Sequence, residues 1–349
     1  MTGVPLLSGV VTQVLDPANR ARFDHMNGWL YRNYGRLRDP AQVFRFVASL
    51  SRLISPVWAK RRELRFADIG CGFGFAVATL GALGARLAVG VEAVDGCVAT
   101  AREMLALLPG VRAYCVRGRA EDLPLASEHF DVVLSVEAIS HFVEPWRFLD
   151  EAWRILSPGG LLIIADDNNA LNPAHQRERH EVWECFENGP PTDNVHGHRV
   201  LKPYVVGRRE LLARHFPQLS DRELDALSRG TSGLWGAAVV EAGRRYLVAG
   251  DTPDRTYRSG TCPIEPFTGA YIENLLDPGE IGRCLEAHGT LSDVRPYFGG
   301  ETRGGLLRLL DTVIRKVAPR KWTLVLAPGY RVYARKPHRD SRGSAVASL

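Results

Sequence analysis

Lysine is nearly missing from this chain of 349 residues: five positions (60, 202, 316, 321 and 336) stand against 39 arginines. That bias is a coding effect of a GC-rich, bacterial genome before it is a functional one. Large net charge is missing too. With 39 acidic residues the balance is +5, too small and too scattered for a nucleic-acid footprint, and no DNA- or RNA-binding module is visible. The six cysteines (71, 97, 115, 185, 262 and 284) include no CxxC pair, which excludes a small disulfide-stapled frame and reads as reduced thiols in a cytoplasmic protein. No apolar run reaches about 18 residues, and the opening MTGVPLLSGVVTQV has no basic n-region, so neither a membrane span nor a secretory leader is expected.

What is present is hydrophobic content of 45%, enough to bury a sizeable core, and one conspicuous loop. Asp68-Ile69-Gly70-Cys71-Gly72-Phe73-Gly74 joins a strand-like run, residues 64 to 69, to a helix-like run, residues 75 to 83. Such a junction is a nucleotide cradle. A dinucleotide fingerprint opening at Gly70 needs glycine or alanine at 75, where this chain has Phe75. The spacing is G-x-G-x-G, and it follows Asp68. A carboxylate there is a poor neighbour for pyrophosphate and a good one for a ligand with ammonium and sulfonium charges.

Further features follow in a fixed order. A strand-like run, residues 87 to 92, ends in Glu92, 22 positions after Gly70. A carboxylate at that strand end suits a pair of ribose hydroxyls. A third run, Val111 to Val116, leads into Arg117-Gly118-Arg119-Ala120-Glu121-Asp122-Leu123-Pro124. A fourth, Phe130 to Val136, leads into Glu137-Ala138-Ile139-Ser140-His141-Phe142. Trp146, Leu149, Trp153 and Leu156 then recur at helical spacing, and Leu156-Ser157-Pro158-Gly159-Gly160 reads as a helix-ending turn before a fifth strand, Leu161 to Ala165.

This series resembles the motif set of the class I S-adenosylmethionine (SAM) dependent methyltransferases, strongly over residues 64 to 167 and weakly over 277 to 336. The resemblance implies an α/β fold: a Rossmann-like, doubly wound, mostly parallel seven-stranded sheet with helices on both faces and an inserted, mainly helical cap. It implies SAM as cofactor, held by Asp68, Gly70, Cys71, Gly72, Gly74, Glu92, Ala93, Ala120, Glu121, Ser135 and Glu137, with no metal. In the adenine-binding loop Arg119 replaces the family's usual Asp, which leaves a carboxylate from Glu121 or Asp122 to meet the adenine edge. In some similar O-methyltransferases a His at position 141 and an Asp after the fifth strand act as base and orienter, so His141 with Asp166 or Asp167 is the catalytic expectation. Imidazole titrates near pH 6.5 and can take a hydroxyl proton as the oxygen attacks.

The expected organisation is an N-terminal helical lid over residues 1–62, a SAM-binding core over 63–167, an inserted cap over 168–276, a completion of the core sheet over 277–336 and a disordered tail over 337–349. The lid shows helical periodicity in Val43, Phe44, Phe46, Val47, Leu50 and Leu53, with Tyr31 and Tyr34 placed to meet the methionine end of SAM. Within the cap, helical pieces run Gly207 to Phe216, Asp221 to Arg229 and Ala237 to Val248, and its aromatics and arginines offer walls and anion contacts for an acceptor. His196-Gly197-His198 lies near Asp193 and Asn194 in a stretch expected as a Gly/Pro-rich loop, without the spacing of a metal site. After Asp277-Pro278-Gly279-Glu280 opens a helix, strands are expected at Leu291 to Tyr297, Thr323 to Ala327 and Tyr330 to Ala334. An apolar stripe from Leu306 to Val317 flanked by arginines reads as a helix packed on the core, or lying on an anionic membrane.

The functional expectation is methyl transfer to a small-molecule acceptor, at a hydroxyl of a sugar, polyketide or other secondary metabolite. Alternatives are N- or C-methylation of a small or lipid-linked metabolite, or a non-catalytic SAM-binding regulator. A homodimer stays open.

Overall fold

In the computed structural model, which describes residues 3–58, 63–298 and 320–338, the chain divides into two units. One holds the described residues up to Ile139 together with Glu144–Asp167 and those from Pro278 onward; the other holds Ser140–Val143 and Asn168–Asp277.

The first unit opens with five helices, α1 (Gly3–Val14), α2 (Arg20–Phe23), α3 (Trp29–Tyr34), α4 (Pro40–Leu53) and α5 (Ser55–Trp58). The start of α4 is set by Asp39, whose carboxylate accepts the Ala41 N–H at 2.9 Å ahead of a proline in the first turn. Its buried face is Val43, Val47, Leu50 and Leu53, while Phe44 faces solvent. These residues join Val4, Leu7, Val10, Val11 and Val14 of α1 in one core with the sheet. Each such side chain, fully buried, contributes about 1.5–3 kcal/mol.

Strands and helices then alternate: β1 (Arg65–Ile69), α6 (Phe75–Ala82), β2 (Leu87–Glu92), α7 (Asp95–Leu105), β3 (Ala113–Arg117), β4 (Phe130–Val136), α8 (Pro145–Ile155) and β5 (Leu156–Asp166). In the second unit come α9 (Pro173–Asn188), the hairpin β6 (Thr192–Val195) and β7 (His198–Val200), and helices α10 (Tyr204–His215), α11 (Asp221–Gly230) and α12 (Ala237–Ala249). The chain returns to the first unit with α13 (Pro278–Glu286), β8 (Ser292–Tyr297), α14 (Arg320–Leu326) and β9 (Gly329–Arg335).

The sheet order is β3-β2-β1-β4-β5-β9-β8, with β1 to β5 mutually parallel and β9 antiparallel to both neighbours. This is the doubly wound, mostly parallel seven-stranded Rossmann-like sheet that the resemblance implies. Its central strands are covered on both faces, as the full burial of Phe66, Ala67 and Ile69 in β1 and of Val132, Val133 and Leu134 in β4 shows. The second unit has its own small core, Leu211, Leu212, Phe216, Leu219, Leu224, Leu227 and Val239. Among the described residues no helix is long and apolar enough to cross a membrane. The arginine-flanked stripe from Leu306 to Val317 and the tail after His338 lie outside the described residues.

Three elements differ from the sequence reading. Leu156-Ser157-Pro158-Gly159-Gly160 is not a turn but the irregular start of β5: Gly159 N–H donates to Lys336 O, Lys336 N–H donates to Gly160 O, and the register with β4 shifts across Phe130 and Val132. Gly159, at φ +76°, absorbs the bulge. Thr323 to Ala327, expected as a strand, belongs mostly to α14, the helix that leads into β9. The stretch around His196-Gly197-His198 is a hairpin turn rather than a loose loop, with His196 and Gly197 both at positive φ.

Candidate active site

Between β1 and β4 the order of the sheet reverses, and ligands of such sheets sit outside the carboxyl ends of the strands at that point. The glycine loop leaves β1 there. Gly70, Gly72 and Gly74 have φ of +75°, +52° and +78°. A side chain at Gly72 would meet no atom within 4 Å, so it is the backbone angle, not crowding, that reserves the position for glycine. The loop is fastened to β2: Gly70 and Cys71 N–H groups both donate to Val91 O, at 2.8 and 3.1 Å.

Glu92, at the end of β2, accepts the Gly72 N–H on one carboxylate oxygen and the Val94 N–H on the other, both at 2.9 Å. These bonds orient the carboxylate and leave each oxygen able to accept once more. Asp68 is buried at the end of β1, and among the described residues no donor reaches its carboxylate. Burial and then the charge of Glu92 push it up to about 7. At the end of β4, the fully buried Ser135 hydroxyl has no hydrogen-bond partner among the described residues. Glu137 follows at φ +50°, accepting the Asp167 N–H at 3.2 Å; its surroundings and the charges of Asp166 and Asp167 raise its carboxyl well above the usual range. Among the described residues Asp68, Glu92 and Glu137 form no salt bridge. The strand ends thus gather three carboxyl groups, of which Asp68 and Glu137 are held towards their neutral forms.

From the helical segment, Tyr34 stacks on Phe75 (ring centres 4.6 Å apart) and meets Phe73 edge-on at 5.7 Å. Burial and Asp68 push its hydroxyl up to about 12, which keeps it neutral. Tyr31 spends its hydroxyl on Val14 O at 3.2 Å. In the loop after β3, Ala120 is buried, while Glu121 turns into the protein, accepting the Glu144 N–H at 3.3 Å and standing 3.5 Å from Arg119. Asp122 is the exposed carboxylate of that loop. Ala93 is exposed beside Glu92, and Asp166 is fully buried at the end of β5.

Residues 67–164, from β1 through β5, match the family model described as a methyltransferase domain. This core is a methyltransferase domain, similar to those of the class I SAM-dependent methyltransferases. Over 165 residues the chain is 39% identical to a ubiquinone biosynthesis O-methyltransferase of Parvibaculum lavamentivorans, covering 47% of this chain and 61% of that one. It is 30% identical over 169 residues to the enzyme of the same name from Azorhizobium caulinodans, covering 45% and 64%. It is 35% identical over 150 residues to phthiotriol/phenolphthiotriol dimycocerosates methyltransferase 1 of Mycobacterium ulcerans, covering 43% and 50%. The chain therefore spans less than two thirds of each relative's length.

The methyltransferase core fits SAM on its own evidence: a glycine cradle, an oriented carboxylate at the second strand end, an orphaned buried hydroxyl, and buried negative charge that lacks a cation.

His141 lies in the second unit, and its surroundings there were not legible in the sequence. Nδ1 is 3.1 Å from the backbone oxygen of Tyr271. A carbonyl only accepts, so Nδ1 carries the proton and Nε2 keeps its lone pair. A main-chain carbonyl thus orients Nδ1, a contact that no sequence motif could have flagged. Two residues on, Glu273 is held by Arg179, and its backbone oxygen accepts from Trp183 Nε1 at 3.1 Å. Arg179 Nη1 also donates to His198 Nε2 at 2.9 Å; burial, then the charge of Arg179, push His198 down to about 4 and keep it neutral. His196 pairs instead with Glu181 at 2.6 Å. Among the described residues no three of His, Cys, Asp or Glu are grouped to hold a metal ion.

Proposed function

We propose that this protein transfers the methyl group of SAM to a hydroxyl of a small molecule, a sugar, polyketide or other secondary metabolite, with His141 as general base. The observation that carries the cofactor side is Asp68, a buried carboxylate without a donor, next to the oriented Glu92. A cationic ligand supplies the charge that this pocket lacks, whereas a pyrophosphate adds more of the wrong sign. When bound, SAM supplies an electrophilic methyl on a positively charged sulfur and departs as neutral S-adenosylhomocysteine. The residues of the chain then have three tasks. Glu92 accepts the ribose hydroxyls, the Ser135 hydroxyl holds a polar edge, and the acceptor is lined up with the methyl so that little covalent help is needed.

On the acceptor side, the reading rests on His141. Its Nδ1–H is committed to Tyr271 O, so Nε2 is the atom that takes the hydroxyl proton. Two of the similar proteins are O-methyltransferases, which favours oxygen over nitrogen or carbon. The test has two parts. Calorimetry is expected to show SAM binding, and a panel of hydroxylated metabolites to show SAM turned over to S-adenosylhomocysteine. His141→Ala is then expected to lower kcat by about 10²- to 10⁴-fold with unchanged SAM affinity. Turnover of amines alone would move the reaction to nitrogen; SAM binding with no acceptor in a broad panel would favour a regulator.

A further inference from the structure

Cys71 occupies the middle of the glycine loop and is half-buried; Cys115 is a buried residue of β3. Their sulfurs are 3.7 Å apart. The sequence keeps them 44 positions apart, and the sheet brings them together, because Cys115 is in register with Gly90 of β2 and the Cys71 side chain fills the space that a Cβ on Gly90 would need. A glycine at 90 is therefore what allows the two thiols to touch. Cys115 also lines a pocket of about 430 Å³ with Arg102, Leu105, Val111 and Tyr114.

We propose that Cys71 and Cys115 are a dithiol that a peroxide closes to a reversible disulfide, and that the closure disables the glycine loop. A disulfide needs its sulfurs about 2.05 Å apart, so closing the present 3.7 Å displaces the residue between Gly70 and Gly72. That displacement strains the fastening of the loop to Val91 and Glu92. The contact between the two sulfurs, helped by Arg102, draws the Cys115 thiol below its ordinary range, while the same contact and burial push that of Cys71 up, so Cys115 is the attacking sulfur. Cys115 as thiolate attacks one peroxide oxygen; an S–O bond forms, the O–O bond breaks, and the departing hydroxide takes a proton to become water. Cys71 sulfur then attacks the Cys115 sulfur, the S–S bond forms, and the sulfenic oxygen leaves as a second water with the Cys71 proton. Two thiols and one hydrogen peroxide give one disulfide and two waters.

The effect on the loop is read through SAM affinity and in that respect rests on the cofactor assignment above; the cross-link itself is read by mass. The full-length protein, reduced and then treated with hydrogen peroxide, is expected to lose two hydrogens and to yield a peptide joining Cys71 to Cys115. SAM affinity is expected to fall by a factor within about 5- to 150-fold and to return with dithiothreitol; by reciprocity, bound SAM slows the closure. Cys115→Ala is expected to bind SAM as the reduced protein does and to keep that affinity after peroxide. Both thiols remaining free, or oxidising separately to sulfinic acids, would overturn the proposal, and so would a formed disulfide with unchanged SAM affinity. A reduced protein that binds no SAM would sink the cofactor assignment and, with it, the functional half of the switch, while the mass readout still decides the pair.

Discussion

The two units treat charge in opposite ways. In the second, buried cations are matched one by one: Arg208, fully buried, is clasped by the equally buried Glu187 and donates to Ser228 O at 2.9 Å, and Arg179 is held between Glu273 and His198. At the carboxyl edge of the first, Asp68 and Glu92 stand in or near the interior with no cation among the described residues paired to them. Matched charge is scaffold, since it asks for nothing from outside. Unmatched charge costs stability while the site is empty and is recovered only when a cation arrives, which is why the second pattern marks a binding site.

The largest effect that sharpens this contrast is expected in the scaffold. Arg208→Met leaves Glu187 buried and alone, at a cost of about 3–5 kcal/mol. Chemical unfolding is expected to show the second unit destabilised, and the companion change Glu187→Leu to recover most of the loss. If Arg208→Met alone left stability unchanged, the pair would not be matched in the sense argued here.

Asp68→Asn is the mirror image. SAM affinity is expected to drop by about 100-fold, close to 2.7 kcal/mol, because the cation loses its buried partner. The empty protein is expected to become more stable at pH 8, because a carboxylate that ionises only near pH 7 in the folded state no longer has to be buried charged. A melting temperature that fell together with SAM affinity would mean that Asp68 is scaffold after all.

The third effect is smaller and needs no mutation. The folded Asp68 titrates near 7 against about 3.9 when unfolded, so the folded state holds the extra proton between these values and this group's contribution to stability declines as pH rises from about 4 to 7. Affinity runs the other way. SAM pulls Asp68 towards its charged form, so binding is expected to weaken by about tenfold from pH 8 to pH 6 and to release a proton near pH 7, seen as a buffer-dependent binding enthalpy in calorimetry. A flat profile over that range would remove Asp68 from the cation site.

The same contrast explains what was legible beforehand. β1, β2 and β4 were visible as short buried runs ended by Asp68, Glu92 and Glu137, because unmatched chemistry at a strand end shows in the letters. α9 escaped because half of its buried face is charged: Arg179 and Glu187 sit beside Val182 and Trp183, and paired ions erase the apolar period on which sequence reading depends. Thr323 to Ala327 misled for the reverse reason, since a short apolar run has no period with which to tell a helical turn from a strand. The Tyr271 carbonyl that holds His141, and the meeting of Cys71 with Cys115, depend on backbone and register, which side-chain identity does not encode.

The place of β9 in the sheet has a consequence for how the protein is made. β5 is finished at Asp166, but the strand that covers its edge begins only at Gly329, after the whole second unit has been synthesised. At ribosomal rates of about 5–20 residues per second, the row of N–H and C=O groups on β5 stays open for roughly 8–30 seconds. An uncovered sheet edge invites pairing with another chain. A nascent chain stalled within that interval is therefore the form of this protein most in need of a chaperone.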